Sequence, residues 1–124
     1  MSPLIIYLTG FRQHAGKTVT SLGIISQLRK FLDPKKIGYI KPVGQQTVKP
    51  SINIEVDKDV ELINTFSKIP NLPVSRLSPV RFTNKFTRTY LGSKNRDRLT
   101  KNLSIDIEKA ISALSDRSII IAEG

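Results

Sequence analysis

The sequence predicts an α/β fold, a parallel sheet with helices on both faces, and three observations predict it. Residues 4–8, Leu-Ile-Ile-Tyr-Leu, are apolar without alternation, as in a strand covered on both sides. From Lys17 the apolar residues recur at helical spacing instead. Ile37-Gly38-Tyr39-Ile40-Lys41 then returns to strand character. Strand, glycine-bearing turn, helix and strand make a βαβ unit, whose crossover is right-handed in nearly all folds.

Each element has its own signals. The first strand follows Pro3 and ends in Thr9-Gly10. In the first helix Val19, Leu22, Ile25, Leu28 and Phe31 or Leu32 form the apolar stripe, and Asp33-Pro34 stops it. Pro42 ends the second strand. Residues 44–56 are polar, contain Pro50, and read as a loop. A shorter helix is expected from Asp57 to Ser67, with Val60, Ile63 and Phe66 as its buried side. Pro70, Pro73 and Pro79 keep the next stretch extended or irregular. Leu99, Leu103, Ile107, Ala110, Ile111 and Leu114 share one face of the last helix. Residues 118–122, Ser-Ile-Ile-Ile-Ala, make a third strand of the buried type. There is no internal repeat.

Composition narrows the function classes. The 124 residues are one domain's length, and 39% hydrophobic with 24% charged residues is a folded, not a disordered, balance. No apolar run approaches the roughly 18–20 residues of a membrane span, and no basic segment precedes the run at Leu4, so a cytoplasmic protein is expected. Cysteine is absent, which removes disulfides, thiolate metal sites and cysteine nucleophiles. His14 is the single histidine, too few for a histidine zinc cluster. The net charge of +10 favours anionic partners. It is concentrated in Arg76, Arg81, Lys85, Arg88, Lys94, Arg96, Arg98 and Lys101, opposed in that stretch only by Asp97.

The strongest local signal is Gly10-Phe11-Arg12-Gln13-His14-Ala15-Gly16-Lys17-Thr18, set between a strand and a helix. A helix N-terminus offers unpaired N–H groups and partial positive charge, which suit phosphate. Gly16 lets the backbone come close, Lys17 supplies a point charge for the outer phosphates, and the Thr18 hydroxyl is a Mg²⁺ ligand candidate. This makes the expected architecture a P-loop NTPase-type sheet. The spacing departs from G-x-x-x-x-G-K-[ST], because Phe11 stands where the first glycine belongs. A plain glycine turn into a helix is the other reading, and His14 and Arg12 are equally read as solvated loop residues.

That loop resembles the variant phosphate loop of dethiobiotin synthetase, which also has five residues between its glycines. Gly38-Tyr39-Ile40-Lys41-Pro42-Val43-Gly44-Gln45 resembles the family's Lys-Pro-Val segment, and more closely the dethiobiotin-synthetase-like domain associated with phosphotransacetylases. Val56-Asp57-Lys58-Asp59-Val60 is similar to its acidic helix start, and Ser78-Pro79-Val80 and Phe86-Thr87-Arg88-Thr89-Tyr90-Leu91 look like the phosphotransacetylase-linked branch. Ile119-Ile120-Ile121-Ala122-Glu123-Gly124 is similar to the strand that takes the Walker B role.

The resemblance, shared with cobyrinic and cobyric acid amide synthases, implies a MgATP-binding domain that phosphorylates a carbamate or carboxylate before amide or ring formation. It implies nucleotide binding by Gly10, Gln13, His14, Ala15, Gly16, Lys17, Thr18 and Val19, with Lys17 and Lys41 acting in catalysis. Thr18, Asp59 and Glu123 would hold Mg²⁺, with Asp57 the competitor of Asp59. Each has a plainer alternative: a strand-end lysine in water, a carboxylate favoured by a helix dipole, a solvated acid near a terminus. Gly44-Gln45-Gln46-Thr47 departs from the family's Thr-Gly-Ser-like segment and argues against diaminopelargonate as acceptor.

The family's sheet continues beyond its Glu-Gly strand, so the chain is expected to correspond to the N-terminal half of such a domain. An open edge at Ile119-Ile120-Ile121 would then call for a second copy or a complementary chain. Two further readings stand beside this one. A regulatory domain would bind nucleotide without turnover. A nucleic-acid module would use Phe82, Phe86 and Tyr90 among the basic residues of 76–101, although the same pattern suits a helix with aromatic core and basic surface.

Overall fold

In the computed structural model, which describes residues 2–10, 16–44, 47–51, 54–81 and 84–124, the chain runs β1 (Leu4–Leu8), α1 (Lys17–Leu28), β2 (Ile37–Ile40), β3 (Val43–Gly44), β4 (Thr47–Ser51), β5 (Ile54–Asp57), α2 (Lys58–Phe66), β6 (Val80–Arg81), α3 (Asn84–Gly92), α4 (Arg96–Ser112) and β7 (Ile119–Glu123). Short 3₁₀ turns at Pro34–Lys36 and Val74–Arg76 join elements.

The main sheet has the order β1-β7-β2, all parallel. Register pairs Leu8 with Glu123 and Ile40 with Ala122, so the three strands end at one edge. Every residue of β2 and β7 is buried. With Ile25, Val60, Ile63, Leu77 and Leu114 they form the apolar core. Each such side chain contributes about 1.5–3 kcal/mol on burial, which holds the sheet edge rigid enough to carry a site.

β1 departs from the expectation of a doubly covered strand. It lies at the sheet edge, with Leu4 63%, Ile5 46% and Tyr7 59% exposed. The apolar run at Ile119–Ile121, expected to be the open edge, is instead the centre of the sheet. Sequence order hides this, because a strand late in the chain inserts between the first two.

The helices largely follow their predicted periodicity. α1 buries Ser21 and Ile25, while Val19 is 74% exposed and Phe31, past the helix end, 83%. In α2, Val60 and Ile63 are fully buried as expected, but Phe66 is 63% exposed. Ser67 takes the inward position there and its Oγ accepts from the Ile69 N–H. The stretch read as a loop, 44–56, contains β4 and β5, which pair antiparallel with Thr47 opposite Asp57. Its polar composition concealed a hairpin.

Arg117, 5% exposed, ties the loops beneath the sheet. Its guanidinium donates to the carbonyls of Lys35, Ile37, Pro70 and Asn71. The aliphatic stem lies on Gly38, where an added Cβ would come 3.1 Å from Arg117 Cγ. A planar fork reaching several carbonyls is a geometry that lysine does not reproduce.

Candidate functional site

The carboxyl edge of the sheet gathers three features: the exit of β1 toward α1, the exit of β2 at Lys41, and Glu123 at the end of β7. Ligands bind at this edge in open parallel sheets.

From β1, Thr9 and Gly10 lead toward α1. Of the predicted nucleotide contacts, Gln13, His14 and Ala15 lie outside the described residues. Gly16 caps α1 with φ 85° and ψ 15°, the left-handed conformation that glycine adopts without strain. Among the described residues, a Cβ built there would meet nothing within 4 Å. The Gly16 carbonyl is engaged by the N–H and hydroxyl of Thr20 at 3.0 and 2.9 Å, a contact that sequence reading missed. The first turn has neither a side-chain cap nor an acidic residue. Its N–H groups and dipole therefore have no carboxylate of their own, the condition in which a helix start accepts an anion. Lys17 and Thr18 are half-buried in that turn, and Val19 faces outward.

From β2, Lys41 extends to the start of α2. Its Nζ lies 2.5 Å from Asp59 Oδ2 and 3.2 Å from Asp57 Oδ1. The two acids, which the sequence left in competition, take different parts. Asp57 is fully buried and caps α2, accepting from the Asp59 N–H at 2.8 Å. Asp59, its side chain 29% exposed, is the more accessible carboxylate. Burial works to lower the Lys41 pKa, but the hydrogen bond to Asp59 and the charges of Asp57 and Asp59 outweigh it and leave the net value raised. The ammonium is thus fixed in its charged form.

Gly44 permits the close packing beside this group. An added Cβ would fall 2.5 Å from Asp57 Oδ2 and 2.6 Å from Ser78 Oγ, so a larger residue would drive the carboxylate out of place. Both of those oxygens are buried without a hydrogen-bond partner among the described residues.

Tyr39 and Glu123 complete the edge. Both are fully buried, and the Tyr39 hydroxyl donates to Glu123 Oε2. Glu123 Oε1 is buried without a partner among the described residues. The predicted alternative of a solvated acid near the terminus is therefore corrected: β7 runs inside the sheet and carries Glu123 with it. Burial, then the charge and hydrogen bond of Glu123, push the Tyr39 hydroxyl far above its ordinary pKa, with Asp59 and Asp57 adding to the effect. Tyr39 was not singled out from sequence, although it lies two residues before Lys41, inside the strand that Lys41 follows.

Residues 5–124 match a family model described as an AAA domain, which represents the dethiobiotin synthetase-like P-loop proteins. The chain belongs to that family. Comparison with curated proteins gives no match. A nucleotide-binding P-loop domain follows from the membership, and the parallel three-strand sheet flanked by helices agrees with it. No helix among the described residues is long and apolar enough to cross a membrane.

The residues at this edge fit a hard cation. Among the described residues no three acidic or histidine side chains converge into a complete cage. Mg²⁺ rarely takes one; it is bound through one or two carboxylates together with water and phosphate oxygens. Glu123 Oε1, buried without a partner among the described residues, is a donor of the required kind, and Asp59 is the more accessible of the two acids beside Lys41.

The basic stretch includes α3 and the start of α4. Phe86 and Tyr90 stack on each other in α3 with centroids 6.2 Å apart, and the Tyr90 hydroxyl bonds Thr100 Oγ1 of α4 at 2.8 Å. Lys85, Arg88, Lys94, Arg96, Arg98 and Lys101 are exposed around them. Phe82 lies outside the described residues.

Proposed function

We propose that this family member binds MgATP at Gly10–Val19 and transfers the γ-phosphoryl group to a carboxylate or carbamate oxygen. The observation that carries the proposal is the register of the main sheet, which ends β2 just before Lys41, β7 at Glu123 and β1 just before the segment leading to Gly16-Lys17-Thr18 all at one edge. The residues assigned to nucleotide are Gly10, Gln13, His14, Ala15, Gly16, Lys17, Thr18 and Val19, with Thr18, Asp59 and Glu123 assigned to Mg²⁺. When bound, the cation supplies charge neutralisation for the phosphate oxygens.

In the transfer, an acceptor oxygen forms a new bond to the γ-phosphorus while the bond to the β–γ bridging oxygen breaks, and ADP departs with the electron pair. Little proton movement is needed because the acceptor is already an anion. Positioning and electrostatics therefore dominate, and Lys17 and Lys41 provide them. Lys41 begins paired with Asp57 and Asp59. Its contact with the moving phosphoryl group requires Asp59, the more exposed partner, to give way; buried Asp57 keeps the ammonium near the edge. The acyl phosphate so formed is open to amine attack with loss of phosphate.

Calorimetric titration of MgATP into the wild-type chain and Lys17→Ala, at two salt concentrations, tests the binding part. Saturable binding lost in the variant and little changed by salt is expected. Binding that survives the substitution and falls steeply with salt would instead favour the basic segment and a polyanion. Product analysis with carboxylate acceptors tests turnover, and binding without turnover would favour a regulatory nucleotide domain.

A further inference from the structure

We propose that Tyr39 is a positioning residue that decides which oxygen of Glu123 serves the cation, a proposal that rests on Glu123 having the role assigned above. A carboxylate on a flexible side chain presents two equivalent oxygens, and its last torsion is broad and two-fold. Donation by the Tyr39 hydroxyl to Oε2 removes that equivalence. Oε1 is then left as the oxygen of that carboxylate without a partner among the described residues. Both side chains are fully buried, so water does not compete for either oxygen.

The arrangement is built into the strands. β2 and β7 are adjacent and parallel, with Tyr39 paired in register to Ile121, two residues before Glu123. Lys41 follows directly after β2, so one segment of chain delivers both the positioning hydroxyl and the ammonium. A buried tyrosine needs some partner for its hydroxyl. Here the partner is the Glu123 carboxylate at the end of β7 and not a backbone carbonyl, which gives the hydrogen bond a directional consequence for the site.

The test titrates Mg²⁺ into wild type, Tyr39→Phe, Glu123→Gln and the double variant, each with a fixed concentration of a non-hydrolysable ATP analogue, binding being followed by calorimetry. Tyr39→Phe keeps the ring and removes only the hydroxyl. The Mg²⁺ concentration at half-saturation is expected to rise about tenfold, as for other residues that orient a metal ligand. Metal-free nucleotide affinity should stay unchanged, and Tyr39→Phe should add nothing in the Glu123→Gln background. A Tyr39→Phe curve that overlays wild type while Glu123→Gln shifts overturns the positioning role alone. A Glu123→Gln curve that overlays wild type overturns the role of Glu123 and this proposal with it.

Fluorine NMR of fluorotyrosine-labelled wild type gives a reading independent of variant folding. The chain has three tyrosines, so Tyr7→Phe and Tyr90→Phe assign the signals. Adding Mg²⁺ to the analogue-loaded protein is expected to shift the Tyr39 signal, and an unmoved signal overturns the proposal.

Discussion

Lys41 Nζ sits 2.5 Å from Asp59 Oδ2 and 3.2 Å from Asp57 Oδ1, joining the end of β2 to the cap and first turn of α2 through one ammonium. Asp57 is fully buried, so its charge depends on that ammonium and on the Asp59 N–H. Removing one member of such a group leaves a charge in low dielectric without compensation.

Lys41→Met is therefore expected to destabilise the chain by about 3 kcal/mol. In an Asp57→Asn background the same substitution should cost much less, because no buried charge is stranded. Urea unfolding of the four proteins in the double-mutant cycle measures the difference.

Alkaline pH probes the same edge. Lys41 is raised above its ordinary 10.5, where the hydrogen bond to Asp59 and the charges of Asp57 and Asp59 exceed the lowering effect of burial. Tyr39 is raised above 10.0, by burial first and then by Glu123. Both groups hold their protons more tightly folded than unfolded, so their contribution is complete below about pH 10 and falls as pH rises past that value. Unfolding free energy should thus be steady to about pH 9 and decline beyond pH 10. Tyr39→Phe and Lys41→Met should each flatten the decline.

Gly16 and Gly23 offer a contrast within one helix. Gly16→Ala forces a side chain into φ 85°, at a cost of about 1–2 kcal/mol, at the start of the helix proposed to hold phosphate. MgATP affinity is expected to fall more than tenfold in calorimetry, with only a modest loss in thermal stability. At Gly23, inside α1, an added Cβ also meets nothing within 4 Å. Gly23→Ala should stabilise the chain by about 0.5–1 kcal/mol without altering binding.

Arg117 links the turn before β2 to the loop at Pro70 and Asn71 through backbone carbonyls. Charge-assisted bonds of this kind make Arg117→Ala costly, by roughly 3 kcal/mol. Arg117→Lys should recover less than half of that loss, since a point ammonium does not span the carbonyls. Thermal melts of the two variants check the order.

Much of this was legible in the sequence. The strands expected at 4–8, 37–41 and 118–122 and the two long helices follow from apolar patterning, and the structure sets the strands at Leu4–Leu8, Ile37–Ile40 and Ile119–Glu123. Lys41 and Glu123 were singled out by the resemblance of their segments to the family's motifs, and Lys41 also by its place at the end of an apolar strand, where parallel sheets bind ligands. Strand order was not legible: the insertion of β7 between β1 and β2 is a tertiary choice with no local signature, and it reversed which strand is exposed. The hairpin of β4 and β5 was hidden because a polar two-stranded ribbon lacks the apolar alternation of a core strand. Tyr39 escaped notice for a related reason: inside an apolar strand its ring reads as core, and only the position of Glu123 on the neighbouring strand gives its hydroxyl a role.

The place of β7 also bears on how the chain folds. β1 and β2 are separated by about thirty residues of sequence, yet neither touches the other; each pairs with a strand contributed some eighty or more residues later. Such distant pairings are slow to form because loop-closure entropy is lost before contacts repay it. A collapsed chain in which residues 119–123 have not yet inserted has no continuous sheet edge. Nucleotide capture is consequently a late event on the folding path and reports the completed sheet, whereas helix content alone does not.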